Sequence, residues 1–308
     1  MIIIMTVSRT YGLLRYNFPQ SSTKGALMSL ASLLSHWRAD PTISGNIVEW
    51  RSLPARQARY TLFPSGIHPA LVQALRQQGI QALYTHQAEA WEKTRSGQNV
   101  VVVTGTASGK TLCYNLPVLD RLLVDPQARA LYLFPTKALA QDQLSVISRQ
   151  LSIIQGIEEL QRGEMPGIPA STVSFSTYDG DTPASARSTI RANARLVISN
   201  PDMLHTGILP HHTSWADFFR NLQFVVIDEM HMYRGVFGSH VTNLLRRLKR
   251  IARHYGAKPL FILTSATIAN PVQLAEWLVE EPVALVDDDG SARGARHFLI
   301  YNPPVINR

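Results

Sequence analysis

The chain has 308 residues and a mass of 34.3 kDa, enough to bury a full core in one large or two modest domains. Hydrophobic residues make up 45% and charged residues 17%, a balance that excludes an intrinsically disordered chain. The 30 Lys and Arg against 22 Asp and Glu leave a formal charge of +8, which favours a polyanionic partner but does not separate DNA from RNA or from an acidic membrane surface.

The apolar run Met1 to Met5 is too short for a signal segment or a bilayer span, so neither export nor a membrane partner is expected. A helical periodicity opens at Met28 (Leu30, Leu33, Leu34, Trp37), and residues 1–27 are hypothesised to be an upstream mis-start of the reading frame. Residues 28–38 are predicted as a helix and Ile47 to Trp50 as a short strand, within a lead-in covering 1–59. From His68 a helix is expected to end at Gly79, and a second to start at Thr85 as N-cap, with Gln87 in its first turn.

Alternating elements follow. Val100 to Val103, Ala130 to Phe134, Thr172 to Phe175, Arg195 to Ser199, Leu222 to Asp228 and Leu260 to Thr264 read as strands. Thr136 to Leu151, Ser239 to Tyr255 and Pro271 to Val279 read as helices, and Gln155 to Ala170 as a flexible loop. Continuous apolar strands separated by helices indicate an α/β domain with a mostly parallel sheet covered on both faces. Such sheets collect their active residues at the carboxyl ends of the strands.

Those ends carry the suggestive residues. After Val103 comes Thr104-Gly105-Thr106-Ala107-Ser108-Gly109-Lys110-Thr111, a small-residue loop opening a helix. Free backbone N–H groups and a helix N-terminus converge there on an anion. Lys110 would reach the β- and γ-phosphates of a nucleotide, and the Thr111 hydroxyl would hold a magnesium ion. The loop departs from the general phosphate-loop pattern by one position, with Thr104 where glycine is usual and Gly105 displaced; an ordinary strand-turn-helix corner is the plainer reading.

A second strand ends in Asp228-Glu229-Met230-His231, two acids delivered together. Asp228 is placed to hold the magnesium ion and Glu229 to orient and deprotonate water, against the plainer reading of a helix cap. Thr264-Ser265-Ala266-Thr267 follows a third apolar strand, either as a helix cap or as a relay touching the acidic pair.

These three segments in this order resemble the first RecA-like domain of a superfamily-two DEAD/DEAH-box helicase, a P-loop fold with helices on both faces of the sheet. TGTASGKT is similar to motif I, DEMH to motif II with His231 in its variable place, and TSAT to motif III. Gln87 in LYTHQ matches the adenine-reading glutamine, PTKALAQDQ (135–143) resembles motif Ia, and SNPDMLH (199–205) the Ib region. TYDGDT (177–182) and IYNPP (300–304) are closer to one branch, the bacterial mitomycin-repair helicases and their fungal RecQ-four-like relatives, which points to DNA repair. The resemblance covers about residues 60–305.

What the resemblance implies is specific. ATP and magnesium are the cofactors; Gln87 and residues 104–111 bind ATP; Thr111 and Asp228 hold the metal; Lys110, Asp228 and Glu229 are catalytic. His231, Ser265, Ala266 and Thr267 couple nucleotide state to movement. Thr136, Lys137, Asn200, Pro201 and Asp202 contact a nucleic-acid backbone, DNA in preference to RNA by branch. Residues 60–286 form the ATP-binding domain, and 287–308 a linker toward a second RecA-like domain.

That second domain, with the arginines that complete hydrolysis, has no match in these residues, so the chain alone is expected to bind ATP and strand with little turnover. A fragment of a longer helicase, a standalone module completed by a partner chain, and a P-loop kinase or GTPase are the competing readings; the last leaves Gln87 and TSAT unexplained.

The remaining features have plain readings. Cys113, the one cysteine, is expected in the core of the helix after the loop, and a lone thiol fits a reducing cytoplasm. Arg246, Arg247, Lys249, Arg250 and Arg253 form a solvated helix face or a nucleic-acid patch. His205, His211 and His212 lack a tetrahedral ligand set, and Asp287, Asp288, Asp289 and Gly290 are expected as a surface turn.

Overall fold

The computed structural model describes residues 3–8, 29–162 and 173–302. The chain divides into two compact units, one of residues 1–59 with 291–308 and one of residues 60–290.

In the first unit, β1 (Ile3–Ser8), helices α1 (Leu30–Ala39) and α2 (Pro41–Ser44), and β2 (Ile47–Leu53) join a strand from the far end of the sequence, Arg296–Tyr301. That strand lies between β1 and β2 and pairs antiparallel with both. Leu34 and Trp37 of α1 bury against its Leu299, and the Arg38 guanidinium sits 4.5 Å from the Trp50 ring centre.

The second unit opens with β3 (Tyr60–Thr61), α3 (Pro69–Gln77), β4 (Leu83–Tyr84) and α4 (Thr85–Arg95). Gly79 follows α3 at a φ of 85°, a backbone shape that costs glycine nothing and a side-chain-bearing residue much more. Then come β5 (Asn99–Val103), α5 (Lys110–Val124), β6 (Arg129–Leu133), α6 (Lys137–Arg162), β7 (Phe175–Thr177), α7 (Ala184–Asn193) and β8 (Leu196–Ser199). A helical stretch with α8 (Pro201–Met203) and α9 (Ala216–Arg220) leads to β9 (Leu222–Ile227), α10 (Gly235–His254), β10 (Leu260–Ser265), α11 (Pro271–Val279) and β11 (Val283–Val286). The strand Arg296–Tyr301 of the first unit is β12.

Seven strands form one sheet in the order β11-β5-β10-β9-β6-β8-β7, every neighbouring pair parallel. Alternate side chains divide between two cores, as the period of a strand requires. Tyr132, Ile198, Val226 and Ile262 pack on one face with Leu116 and Leu119 of α5. Leu133, Val197, Ile227 and Leu263 pack on the other with Leu244 and Leu248 of α10 and Leu278 of α11. Burial on both faces is why these strands are apolar without interruption.

Several expectations shift. Helix α6 continues past Leu151 to Arg162, so the first part of the expected loop 155–170 is helical, while 163–170 lie outside the described residues. The cap of α4 is Tyr84 rather than Thr85, because Gln87 turns back to the Tyr84 N–H and draws Thr85 into the first turn. The strand expected at 172–175 is Phe175–Thr177, and β11 and α7 were not foreseen. Within 287–308, expected as a linker, residues 296–301 form β12; the end of IYNPP and residues 303–308 lie outside the described residues, as do 9–27 of the segment read as a mis-start.

Candidate nucleotide and nucleic-acid site

Strands β5, β10 and β9 end side by side. Ser265 lies opposite Val103, and Leu263 opposite Ile227, so the segments 104–111, 265–267 and 228–231 leave the sheet at one level. Adjacent parallel strands in register bring three sequence-distant segments to a common edge.

The loop after β5 enters α5 through Gly109, whose φ of 81° is left-handed. A Cβ at Gly109 would lie 2.7 Å from Gln87 Nε2, so both backbone shape and space call for glycine. Gln87 is buried and donates from Nε2 to the Gly109 carbonyl at 3.1 Å, while its Oε1 accepts from the Tyr84 N–H at 2.9 Å. One side chain thus caps α4 and ties it to the loop.

Within the loop, Ala107 holds a φ of 59°, costly for a residue with a Cβ. The hydroxyls of Thr104 and Ser108 share a hydrogen bond of 2.6 Å, and Lys110 Nζ donates to the carbonyls of Thr104 and Gly105 at 3.1 and 3.0 Å. Thr106 is exposed and Thr111 half-buried at the helix entry. The Gly105 N–H donates to Asp289 Oδ2 at 3.2 Å.

That contact corrects the surface-turn expectation for 287–290. Asp287 and Asp288 are exposed, but Asp289 and Gly290 are buried, and the Gly290 N–H donates to His86 Nδ1 at 3.1 Å. Nothing local in the sequence marks Asp289, because its partner lies 184 residues away.

Asp228, at the end of β9, is buried; its Oδ1 accepts from the Thr264 hydroxyl and from the Glu229 N–H at 3.0 Å. Burial pushes its carboxyl above the ordinary range and the Glu229 charge adds to this, while the Thr264 hydroxyl, the Glu229 amide and Lys110 pull it back. Glu229 is half-buried in a left-handed conformation with φ of 50°.

Glu229 Oε2 stands 3.2 Å from His231 Nδ1, and the Ala266 N–H reaches the same nitrogen at 3.4 Å. A single ring nitrogen can donate to Glu229 or accept from Ala266 but not both at once. Within TSAT the direct contact to the acidic pair comes from Thr264, which the expected coupling set omits; Ser265 Oγ donates to the Ala266 carbonyl instead, and Thr267 is exposed.

On the other side of β9, strands β6 and β8 end together, with Leu133 opposite Ser199. Thr136 and Lys137 lead into α6, and Asn200 caps α8 by accepting the Met203 N–H at 2.8 Å. Pro201 is buried and Asp202 exposed. Lys137 Nζ donates to Asp181 at 2.7 Å across an exposed pair, which brings the turn 177–182 beside the entry of α6. The five expected strand contacts therefore share one edge with the loop 104–111, and β9 stands between the two groups.

The remaining features fall out differently from one another. Cys113 is buried, and burial pushes its thiol up. Arg246 pairs with Glu280, Arg253 with Glu281 and Arg247 with His205, but Lys249 is buried, donating to the Val279 carbonyl and facing Glu281, so the expected solvated face does not include it. His212 bonds Tyr255, and among the described residues no group of three or more His, Cys, Asp or Glu could hold a metal. Magnesium takes one or two carboxylates and completes its shell with phosphate and water. The Asp228 carboxylate and Thr111 hydroxyl are hard oxygen donors that fit it, and a cation beside Asp228 would offset the cost of its burial.

A small-residue loop between β5 and α5 on a seven-stranded parallel sheet, with acids at the end of the second strand over, matches the RecA-like fold. The family model for DEAD/DEAH box helicases matches residues 84–275, and the chain belongs to that family. It is 49% identical over 280 residues to the ATP-dependent helicase YprA of Bacillus subtilis (strain 168), covering 91% of this chain and 35% of that relative. It is 36% identical over 293 residues to the ATP-dependent helicase HRQ1 of Saccharomyces cerevisiae, covering 94% and 26%. Among solved structures, the DUF1998 helicase MrfA bound to DNA and AMPPNP superposes with a TM-score of 0.82 at 49% identity, covering 91% of this chain and 37% of that one. The chain spans about a third of the length of these relatives or less.

Proposed function

We propose that this chain is the ATP-binding and strand-binding part of an ATP-dependent DNA helicase. The observation that carries the reading is the common edge: β5, β10 and β9 bring Lys110, Thr264 and Asp228 to one level, and β6 and β8 bring Lys137 and Asn200 beside them.

At the nucleotide end, Gln87 would recognise adenine, the amides of 106–111 would cradle phosphate, and Lys110 would exchange the loop carbonyls for β- and γ-phosphate oxygens. Thr111 and Asp228 would hold magnesium, which supplies charge neutralisation at the transferring phosphoryl group. Glu229 would orient the attacking water and accept its proton, with His231 fixing the carboxylate. Arginines from a second RecA-like body, in a longer product or a partner chain, would complete the transition-state charge. In this reading the ATP-binding domain expected at 60–286 extends through Asp289 and Gly290, which bond Gly105 and His86, and the linker role expected of 287–308 does not cover β12.

At the strand end, the amides and side chains of Thr136, Lys137, Asn200, Pro201 and Asp202 would hold phosphates and sugars without reading bases. DNA is favoured because the similar helicase MrfA has been solved bound to DNA. No helix among the described residues is long and apolar enough to cross a membrane, and the reading places the protein in the cytoplasm. Competition between matched single-stranded DNA and RNA, at stated salt, tests it. DNA should bind tighter, and Thr136→Ala with Asn200→Ala should weaken binding across sequences alike. Tighter RNA binding, or no binding of either strand, would overturn the strand assignment.

A further inference from the structure

The peptide group joining Thr104 to Gly105 is held at both ends by opposite charges. Its N–H donates to the Asp289 carboxylate at 3.2 Å, and its C=O accepts from the Lys110 ammonium at 3.1 Å. Carboxylate, peptide and ammonium thus form a hydrogen-bonded relay, and each link polarises the next. Asp289 is only 5% exposed, so water screens its charge little. Its backbone is fixed as well, because the next residue, Gly290, donates its N–H to His86 in the first turn of α4.

We propose that Asp289 is a positioning residue that holds Lys110 on the loop carbonyls and thereby sets the phosphate affinity of the cradle. The inference rests on the nucleotide reading above and adds a residue outside the three strand-end segments. To meet phosphate, Lys110 must leave the carbonyls of Thr104 and Gly105. A carboxylate at the far end of the peptide strengthens the carbonyl that Lys110 must leave. The same carboxylate places negative charge beside a site for a polyanion. Both effects oppose nucleotide binding, and both scale with the charge of the ligand. A side chain that merely braced the loop would act the other way, and would act on every adenine ligand alike.

Calorimetric titration of the 308-residue protein with AMP, ADP and the magnesium complex of AMPPNP distinguishes these roles. Asp289→Asn keeps the shape and an acceptor for Gly105 while removing the charge. It should tighten AMPPNP about three- to tenfold, ADP less, and AMP not measurably. Asp289→Glu, which keeps the charge, should stay close to the unsubstituted protein. Equal weakening of all three ligands by Asp289→Asn, or no change in any, would overturn the proposal. Lys110→Ala serves as the separate control: its loss of AMPPNP binding upholds the nucleotide reading whatever position 289 does. Absence of binding by the unsubstituted protein and by Asp289→Asn would overturn both.

Discussion

Thr264, near the end of β10, donates a hydrogen bond from its hydroxyl to the Asp228 carboxylate at the end of the neighbouring strand β9. Both side chains are buried, so the contact joins the third apolar strand to the acidic pair inside the sheet edge. It makes the link between TSAT and DEMH a direct one, carried by the threonine that precedes the Ser-Ala-Thr.

Replacing Thr264 by Val keeps the shape and removes the donor. The Asp228 carboxylate then loses one of its two hydrogen bonds in a buried position, at a cost of about 1–3 kcal/mol. Urea unfolding of Thr264→Val, Asp228→Asn and the double variant measures the coupling. A coupling energy of about 1 kcal/mol or more is expected, and additive effects would show that the contact contributes nothing.

Asp228→Asn should raise thermal stability in the absence of nucleotide at neutral pH. Burial holds the native carboxyl above its ordinary value near 3.8, so the folded state binds its proton more tightly than the unfolded state does. The contribution of Asp228 to stability is therefore fully present below pH 3.8 and is lost as pH rises through the native value. Asparagine carries no such loss. The melting-temperature gap between the two proteins should be largest near pH 7 and close toward pH 4; a gap that widens on acidification would contradict the sign.

Gln87→Ala removes both the cap of α4 and the tie to Gly109. A stability loss of about 1 kcal/mol is expected from the cap. The ratio of ATP to GTP affinity should also fall toward one, as read by competition binding. A preserved ratio would remove Gln87 from base recognition.

How far the sequence anticipates this site depends on how local each signal is. The loop 104–111, the box 228–231 and the segment 264–267 each follow an uninterrupted apolar strand, and burial of both sheet faces makes such strands conspicuous. Their mutual placement was legible from the rule that parallel strands gather their loops at one edge. The partner of Asp228 was harder, because choosing Thr264 over Ser265 requires the register of β10 on β9.

Asp289 was hidden altogether. Three successive acids before a glycine look like a turn, and only the third is buried, against a loop 184 residues earlier in the sequence. The cap of α4 was misplaced by one residue because a threonine is a good cap in isolation, whereas here the reach of Gln87 to the Tyr84 N–H decides the boundary. The extension of α6 to Arg162 runs through Gly156, a residue whose local preference is against a helix interior.

Thr104 to Thr111 as a nucleotide cradle, with Lys110 as its phosphate-binding cation, is tested most directly by nucleotide titration. Titration of the 308-residue protein and of Lys110→Ala with the magnesium complex of AMPPNP should give saturable binding at one site in the first. In the second, affinity should fall by about a hundredfold or more, the loss expected when a charge-assisted contact to phosphate is removed. Equal affinity in the two proteins would contradict the account.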